Sequence, residues 1–260
     1  MTDLRLALVQ TPLHWENPVA NLAMLEEKLA TLTQPVDLVV LPEMFTSGFT
    51  MNPATVAEPM NFTTQRWLRQ MAAQTRAVIT GSYVVKANGQ FFNRLLWVEP
   101  DGTTDYYDKR HLFRMGGEHQ HYAAGNRKIV KTLKDWRICP QICYDLRFPV
   151  WSRNVNLDYD LLLYVANWPA VRRSIWETLL RARAIENQCY VAGVNRVGTD
   201  GNGIEHNGFS GVFNFFGQNA SVETNAETII YATINKKPLA DYRERFPAYL
   251  DADAFALERD

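Results

Sequence analysis

Seven strand-length apolar runs, at residues 4–10, 36–41, 78–85, 91–98, 138–142, 161–166 and 190–194, set the strongest limit on how this chain can fold. Several are apolar at successive positions rather than alternate ones. A strand of that kind must be covered on both faces, as in layered α/β folds. Ala87-Asn88-Gly89-Gln90 separates two of the runs and predicts a tight hairpin, because Asn-Gly readily takes the positive φ angles that such turns need. The hairpin makes the sheet mixed. A further strand is expected over 103–107.

Helical patterns fill the intervals. Asn17 is placed to cap a first helix with Pro18 in its first turn, and Val19, Leu22, Leu25, Leu29 and Leu32 recur at three- and four-residue spacing. Residues 62–75 predict a second helix and 174–188 a third, the latter with Ile175, Leu179, Ala182 and Ile185 on one face and a supporting Glu177/Arg181 pair. No internal repeat, low-complexity segment or long linker interrupts the pattern, so a single α/β domain over 1–260 is expected.

Charge and composition exclude several classes of function. Lys+Arg 27 against Asp+Glu 28 gives a formal net charge of -1, which argues against nucleic acid as a partner. No run approaches the roughly 18 apolar residues of a membrane span. Met1-Thr2-Asp3 lacks a basic region, and the first apolar run is broken by Arg5 and too short for a signal peptide. Cys139, Cys143 and Cys189 form an odd set that fits a reducing compartment, so the expected location is the cytoplasm.

Three segments bring one reactive side chain each to the end of an apolar run: Leu41-Pro42-Glu43-Met44-Phe45, Tyr107-Asp108-Lys109-Arg110-His111-Leu112-Phe113, and Gln141-Ile142-Cys143-Tyr144-Asp145-Leu146-Arg147-Phe148-Pro149. Glu43 lies past the carboxyl end of a buried strand, where open α/β sheets place their sites, among apolar neighbours that desolvate it. Cys143 falls at a strand-to-helix elbow, with free backbone N–H groups beside it able to lower the thiol pKa and receive an oxyanion. Lys109 would hold the thiolate and then the oxyanion by charge. A carboxylate, an ammonium and a thiol suffice for acyl transfer. Singly, each has an ordinary reading as a solvated glutamate, a surface lysine or a buried cysteine, and Cys139 and Cys189 keep the last of these. Two other constellations stay open. His119-Gln120-His121 could meet one ion but lacks a third ligand, so no metal and no cofactor is expected. His111, His119 or His121 could serve Cys143 as the base of a Cys-His hydrolase.

In this order the three segments resemble the Glu-Lys-Cys signature of the nitrilase superfamily of carbon-nitrogen hydrolases. The likeness runs from the strand ending Val9-Gln10 to Arg181-Ala182-Arg183-Ala184-Ile185-Glu186-Asn187. Within the superfamily, the segment from Cys143 to Pro149 and the tryptophan after Ala166-Asn167 look most like the omega-amidases. The resemblance implies a four-layer αββα sandwich with mixed β-sheets, usually paired into a homodimer. It also implies hydrolysis of the side-chain amide of 2-oxoglutaramate or a related dicarboxylic acid monoamide to acid and ammonia through a cysteine thioester.

Carried over residue by residue, the resemblance gives catalytic roles to Glu43, Lys109 and Cys143. It makes the N–H of Tyr144 an oxyanion donor beside Lys109, and Glu118, seven residues before Gly125, a second glutamate that orients Lys109 or the amide. The far carboxylate of such a substrate needs a cation, for which Arg147, Arg172 and Arg173 are candidates, Arg147 having Asp145 as an alternative partner. Trp168 and Phe45 are candidates for the pocket wall. The same residues would serve a nitrile or N-carbamoyl substrate, and the same fold a catalytically silent binding protein. After Gly208 the likeness weakens: Phe209-Ser210 and Phe215-Phe216-Gly217-Gln218 replace the family's Asp-Ser or His-Ser and Pro-x-Gly, a change expected at the dimer interface or pocket edge.

Overall fold

A computed structural model describes residues 2–257. Its strands are β1 (Leu4–Gln10), β2 (Leu38–Val40), β3 (Val78–Ala87), β4 (Gln90–Val98), β5 (Thr104–Asp108), β6 (Lys131–Leu133), β7 (Trp136–Ile142), β8 (Leu161–Ala166), β9 (Tyr190–Asn195), β10 (Val197–Thr199), β11 (Glu205–Asn207), β12 (Gly211–Phe213) and β13 (Thr228–Ile234). The helices are α1 (Pro18–Ala30), α2 (Pro53–Val56), α3 (Thr63–Thr75), α4 (Glu118–His121), α5 (Pro149–Ser152), α6 (Arg173–Glu186) and α7 (Lys236–Arg245). One sheet has six strands in the order β13-β1-β2-β3-β4-β5, a second has five in the order β12-β9-β8-β7-β6, and β10 pairs with β11 as a separate ribbon.

Side-chain alternation on the strands builds the layers. Leu4, Leu6 and Leu8 of β1 face the second sheet and pack with Ile138, Leu161, Leu163 and Val191 in a common core. Ala7 and Val9, between them, face the other way and pack with Leu22, Leu25 and Leu29 of α1 and Trp67, Leu68 and Met71 of α3. On the far side of the second sheet Trp176, Leu180 and Ala184 of α6 cover its buried strands. The order helix, sheet, sheet, helix is the expected αββα sandwich, and each sheet mixes parallel and antiparallel pairs. Strands buried on both faces lose the two-residue period, which is why they read as continuous apolar runs.

All seven apolar runs form strands, and the expected 103–107 strand is β5. Asn88 and Gly89 make the hairpin between β3 and β4 with φ of 50° and 76°. The Asn17 side chain caps α1, accepting from the N–H of Ala20 at 3.1 Å. Two helix details differ from expectation. In α6 the buried residues are Trp176, Leu180, Arg183 and Ala184, while Ile185 is exposed, because the deeply packed indole of Trp176 sets the helix rotation. Arg181 donates to the carbonyl of Gly217 instead of pairing with Glu177, which is taken by Arg173.

The strands β2, β5, β7 and β8 run so that their carboxyl ends meet at one edge of the sandwich, and the loops after them carry the reactive set.

Candidate active site

Glu43 sits in the turn after β2, fully buried. The turn lies on β3: the N–H of Met44 donates to Ser82 Oγ and that of Phe45 to the Ser82 carbonyl, both at 2.9 Å. Gly81 permits this approach, since a Cβ there would stand 2.7 Å from the Cβ of Leu41. Lys109 follows β5, its own N–H donating to the Asn93 carbonyl at 3.0 Å and its carbonyl accepting from Gly125 at 2.9 Å. Gly125 must be glycine, because a Cβ would fall 2.2 Å from the carbonyl oxygen of Asp108.

The side chains from these loops converge. Lys109 Nζ donates to Glu43 Oε1 at 2.8 Å and to Glu118 Oε2 at 2.9 Å, and the whole ammonium is sealed from solvent. Asn93 Nδ2 donates to the same two carboxylates, at 2.8 Å and 3.3 Å. The second Glu43 oxygen accepts from the backbone N–H of Asn167 at 2.9 Å, a donor from the other sheet. Glu118 also accepts from the N–H of Phe113 at 2.6 Å. Two carboxylates therefore share one ammonium. Burial works against charge on Lys109, yet Glu118, Glu43 and Cys143 outweigh it and hold the ammonium above its usual pKa. Burial raises the pKa of Glu118; Lys109 pulls it down and Glu43 pushes it up, with a net rise.

Cys143 stands at the elbow between β7 and a short 3-10 turn, Cys143–Arg147, at the left-handed φ of 43°. A non-glycine residue in that region is strained, and strain of this kind recurs where a nucleophile is presented to a ligand. The expected lowering of the thiol pKa is not what the surroundings produce. Burial and then the charge of the nearby Glu43 carboxylate raise it well above the ordinary value, while the Lys109 ammonium pulls the other way. The resting group is a neutral thiol in the field of a carboxylate. Cys139 and Cys189 are buried free cysteines away from the cavity, as expected.

These residues open on a cavity of about 610 Å³, within the size range of small-molecule sites. Glu43, Lys109, Cys143, Tyr144, Arg147, Asn167, Trp168 and Arg172 line it. Arg147 lies over the Trp168 ring at 5.3 Å and Arg172 over Phe113 at 5.5 Å, and among the described residues neither guanidinium has a carboxylate partner. The alternative partner of Arg147 is absent because Asp145 is engaged by Tyr107, His111 and Ile142. Arg173 drops out: it pairs with Glu177 and Glu223 and covers Phe209, away from the cavity. Phe45 drops out as well, packing against Trp67 and Tyr83 under the helices of the first sheet. Phe49 takes the wall position, with Lys109 Nζ 5.0 Å from its ring centre.

The histidines expected as rival bases do not line the cavity. His111 is bonded to Asp145, and His119 and His121 lie on α4. His206 does line it, held neutral by burial and by Arg196, which push its pKa down to about 4. The region after Gly208 packs on the second sheet, with Phe215 against Tyr190 and Tyr242 and Phe216 exposed beside them. Asn93 and Asn167 escaped the sequence reading; a polar side chain inside the apolar run 91–98 was the signal available for Asn93.

Residues 5–244 match the family described as carbon-nitrogen hydrolase. The chain belongs to the carbon-nitrogen hydrolase family. It is 50% identical over 258 residues to the omega-amidase YafV of Escherichia coli (strain K12), covering 99% of this chain and 100% of that protein. It is 30% identical over 250 residues to a 2-oxoglutaramate amidase of Bacillus subtilis (strain 168), covering 95% and 96%. A solved carbon-nitrogen hydrolase superfamily protein from Xanthomonas campestris, with an arsenic adduct in its active site, superimposes with a TM-score of 0.97 at 50% identity, covering 99% of this chain and 100% of that one. No helix among the described residues of this carbon-nitrogen hydrolase is long and apolar enough to cross a membrane.

Proposed function

We propose that this protein is an omega-amidase that hydrolyses the side-chain amide of 2-oxoglutaramate or a related dicarboxylic acid monoamide. The observation that carries the reading is the junction, in one cavity, of the Glu43, Lys109 and Cys143 side chains with two guanidinium groups that have no carboxylate partner among the described residues. Such cations suit the far carboxylate of the substrate. The full-length likeness to an omega-amidase and the likeness to a 2-oxoglutaramate amidase support the same substrate class.

Glu43 takes the proton of the Cys143 thiol as sulfur attacks the amide carbon. Lys109 and the N–H of Tyr144 receive the oxyanion. The proton held by Glu43 passes to the leaving nitrogen, ammonia departs, and a thioester remains on Cys143. Glu43 then takes a proton from water, whose oxygen attacks the thioester; the carboxylic acid leaves and the thiol regains its proton. Glu118 keeps Lys109 in place by sharing its charge. The protein acts as a homodimer in the cytoplasm, a pairing supported by the exposed apolar side chains of Ile185 on α6 and of Phe216, whose neighbour Gly217 lies against Ile185.

A coupled ammonia assay over 2-oxoglutaramate, succinamate, glutamine, a nitrile and an N-carbamoyl amino acid tests the substrate. Fastest turnover is expected on 2-oxoglutaramate or succinamate. Preference for the nitrile or the N-carbamoyl compound would replace the amidase reading with another carbon-nitrogen hydrolysis.

A further inference from the structure

Asp145, two residues past the nucleophile, is fully buried and has no part in the chemistry described above. Its carboxylate accepts four hydrogen bonds: from Tyr107 Oη at 2.7 Å, from the His111 N–H at 2.9 Å, from His111 Nδ1 at 2.8 Å and from the Ile142 N–H at 3.0 Å. Tyr107 and His111 flank Lys109 at two residues on either side, and Ile142 immediately precedes Cys143. One side chain thus ties the segment carrying the ammonium to the segment carrying the sulfur. Among the described residues no other carboxylate accepts a backbone N–H from both segments.

The staple is itself braced. The Tyr107 hydroxyl accepts from Trp151 Nε1 at 3.0 Å and from the Arg110 N–H at 3.2 Å, and the His111 ring stacks on Phe148 with centres 3.7 Å apart and planes 6° from parallel. A network whose members are all paired holds its geometry more tightly than isolated bonds do. The Asp145 and His111 pair has the outline of a catalytic dyad, but the imidazole lies outside the cavity that holds the thiol. Its visible work is to donate to the carboxylate.

We infer that Asp145 is a positioning residue that fixes the separation of Lys109 and Cys143, with Tyr107 and His111 as its braces. The inference rests on the amidase reading of the site. A displacement of about 1 Å between charge and reacting atom can cost roughly a hundredfold in rate, while the arginines that would hold the substrate carboxylate lie outside the network. Loss of the staple therefore lowers kcat and leaves KM nearly unchanged.

The test compares the full-length wild type with Asp145→Asn and Tyr107→Phe, measuring kcat and KM by ammonia release and the rate of Cys143 alkylation by iodoacetamide. For Asp145→Asn, kcat is expected to fall about a hundredfold with KM within about threefold of wild type, and alkylation to slow about tenfold. Tyr107→Phe, which deletes one of the four bonds, should lose about fivefold in kcat alone. If folded Asp145→Asn keeps kcat within about threefold of wild type, or alkylates at the wild-type rate or faster, the inference is overturned. Should Asp145→Asn not fold, Tyr107→Phe decides: a KM change larger than its kcat change, or no change, overturns it. Alkylation needs no substrate, so a wild type inactive on every amide would remove the amidase reading and still leave the positioning of the thiol measurable.

Discussion

Two buried charge clusters stand at opposite ends of the second sheet, and their compositions are reversed. At the amino end of β8, Asp160 meets three cations, Arg243 at 2.7 Å, Lys236 at 3.1 Å and Arg137 at 3.4 Å. At the carboxyl end of the strands Lys109 meets two carboxylates. The Asp160 cluster fastens α7 to the sheet, and burial of Asp160 is outweighed by hydrogen bonds and charges that keep its pKa below the ordinary 3.8. Lys109 has more carboxylate around it than it can neutralise, inside a cavity and beside a thiol. Surplus cations hold a fold together at one end, while surplus carboxylate at the other leaves a group free to accept a proton.

That contrast breaks most sharply at Cys143 and Glu43. Cys143→Ala should abolish turnover, and Glu43→Gln should cost on the order of a thousandfold in kcat or more, because the groups act as a unit; ammonia release measures both. Near-normal activity in Glu43→Gln would transfer the base role to another group and undo the comparison. Lys109→Met should lose a comparable factor and also about 3–5 kcal/mol of stability, since two buried carboxylates lose the ammonium they share.

Asp160→Asn provides the opposite case. Urea unfolding should show a loss on the order of 3 kcal/mol with kcat within about twofold of wild type. The sign of its pH dependence follows from the lowered pKa: the stabilisation is complete above the ordinary carboxylate value of 3.8 and is lost as pH falls through the lower folded value. Stability of the wild type should therefore decline on that acid limb more steeply than that of Asp160→Asn. Equal slopes would show that the cluster carries no such linkage.

Smaller effects sharpen the assignment of the cavity cations. Arg147→Ala and Arg172→Ala should each raise KM for 2-oxoglutaramate about tenfold or more, the worth of a charge-assisted hydrogen bond, with kcat changed little. Arg173→Ala, whose guanidinium lies on Phe209 away from the cavity, should leave both constants near wild type. A KM effect at Arg173 alone would reverse the placement.

The architecture was legible wherever burial left a mark on the sequence. Strands covered on both faces appeared as apolar runs, and the Asn88-Gly89 turn announced its hairpin. Strands of three residues, such as β6, β11 and β12, are too short to show a period. The helix α7 passed unseen because its buried residues are only Leu239 and Arg243, the second anchored by an ion pair that no hydrophobic pattern records. β13 did carry a signal, with Ile230, Ala232 and Ile234 buried at alternate positions.

At the candidate site, the meeting of Glu43, Lys109 and Cys143 was legible because each follows a strand, and chain direction alone brings the ends of such strands to one edge. The choice between Phe45 and Phe49 could not, since it turns on the left-handed Met44, whose φ of 44° redirects the chain after Glu43. Arg147, Arg172 and Arg173 are alike in sequence and are sorted only by which of them finds an acidic neighbour in three dimensions.

The Glu43 carboxylate takes donors from both sheets, Asn93 and Lys109 on one side and the Asn167 backbone on the other. It works as a bolt through two plates. Shear between the plates too slight to disturb either set of strands would pull the bolt out of line, so on gradual heating turnover should fade before circular dichroism registers any melting.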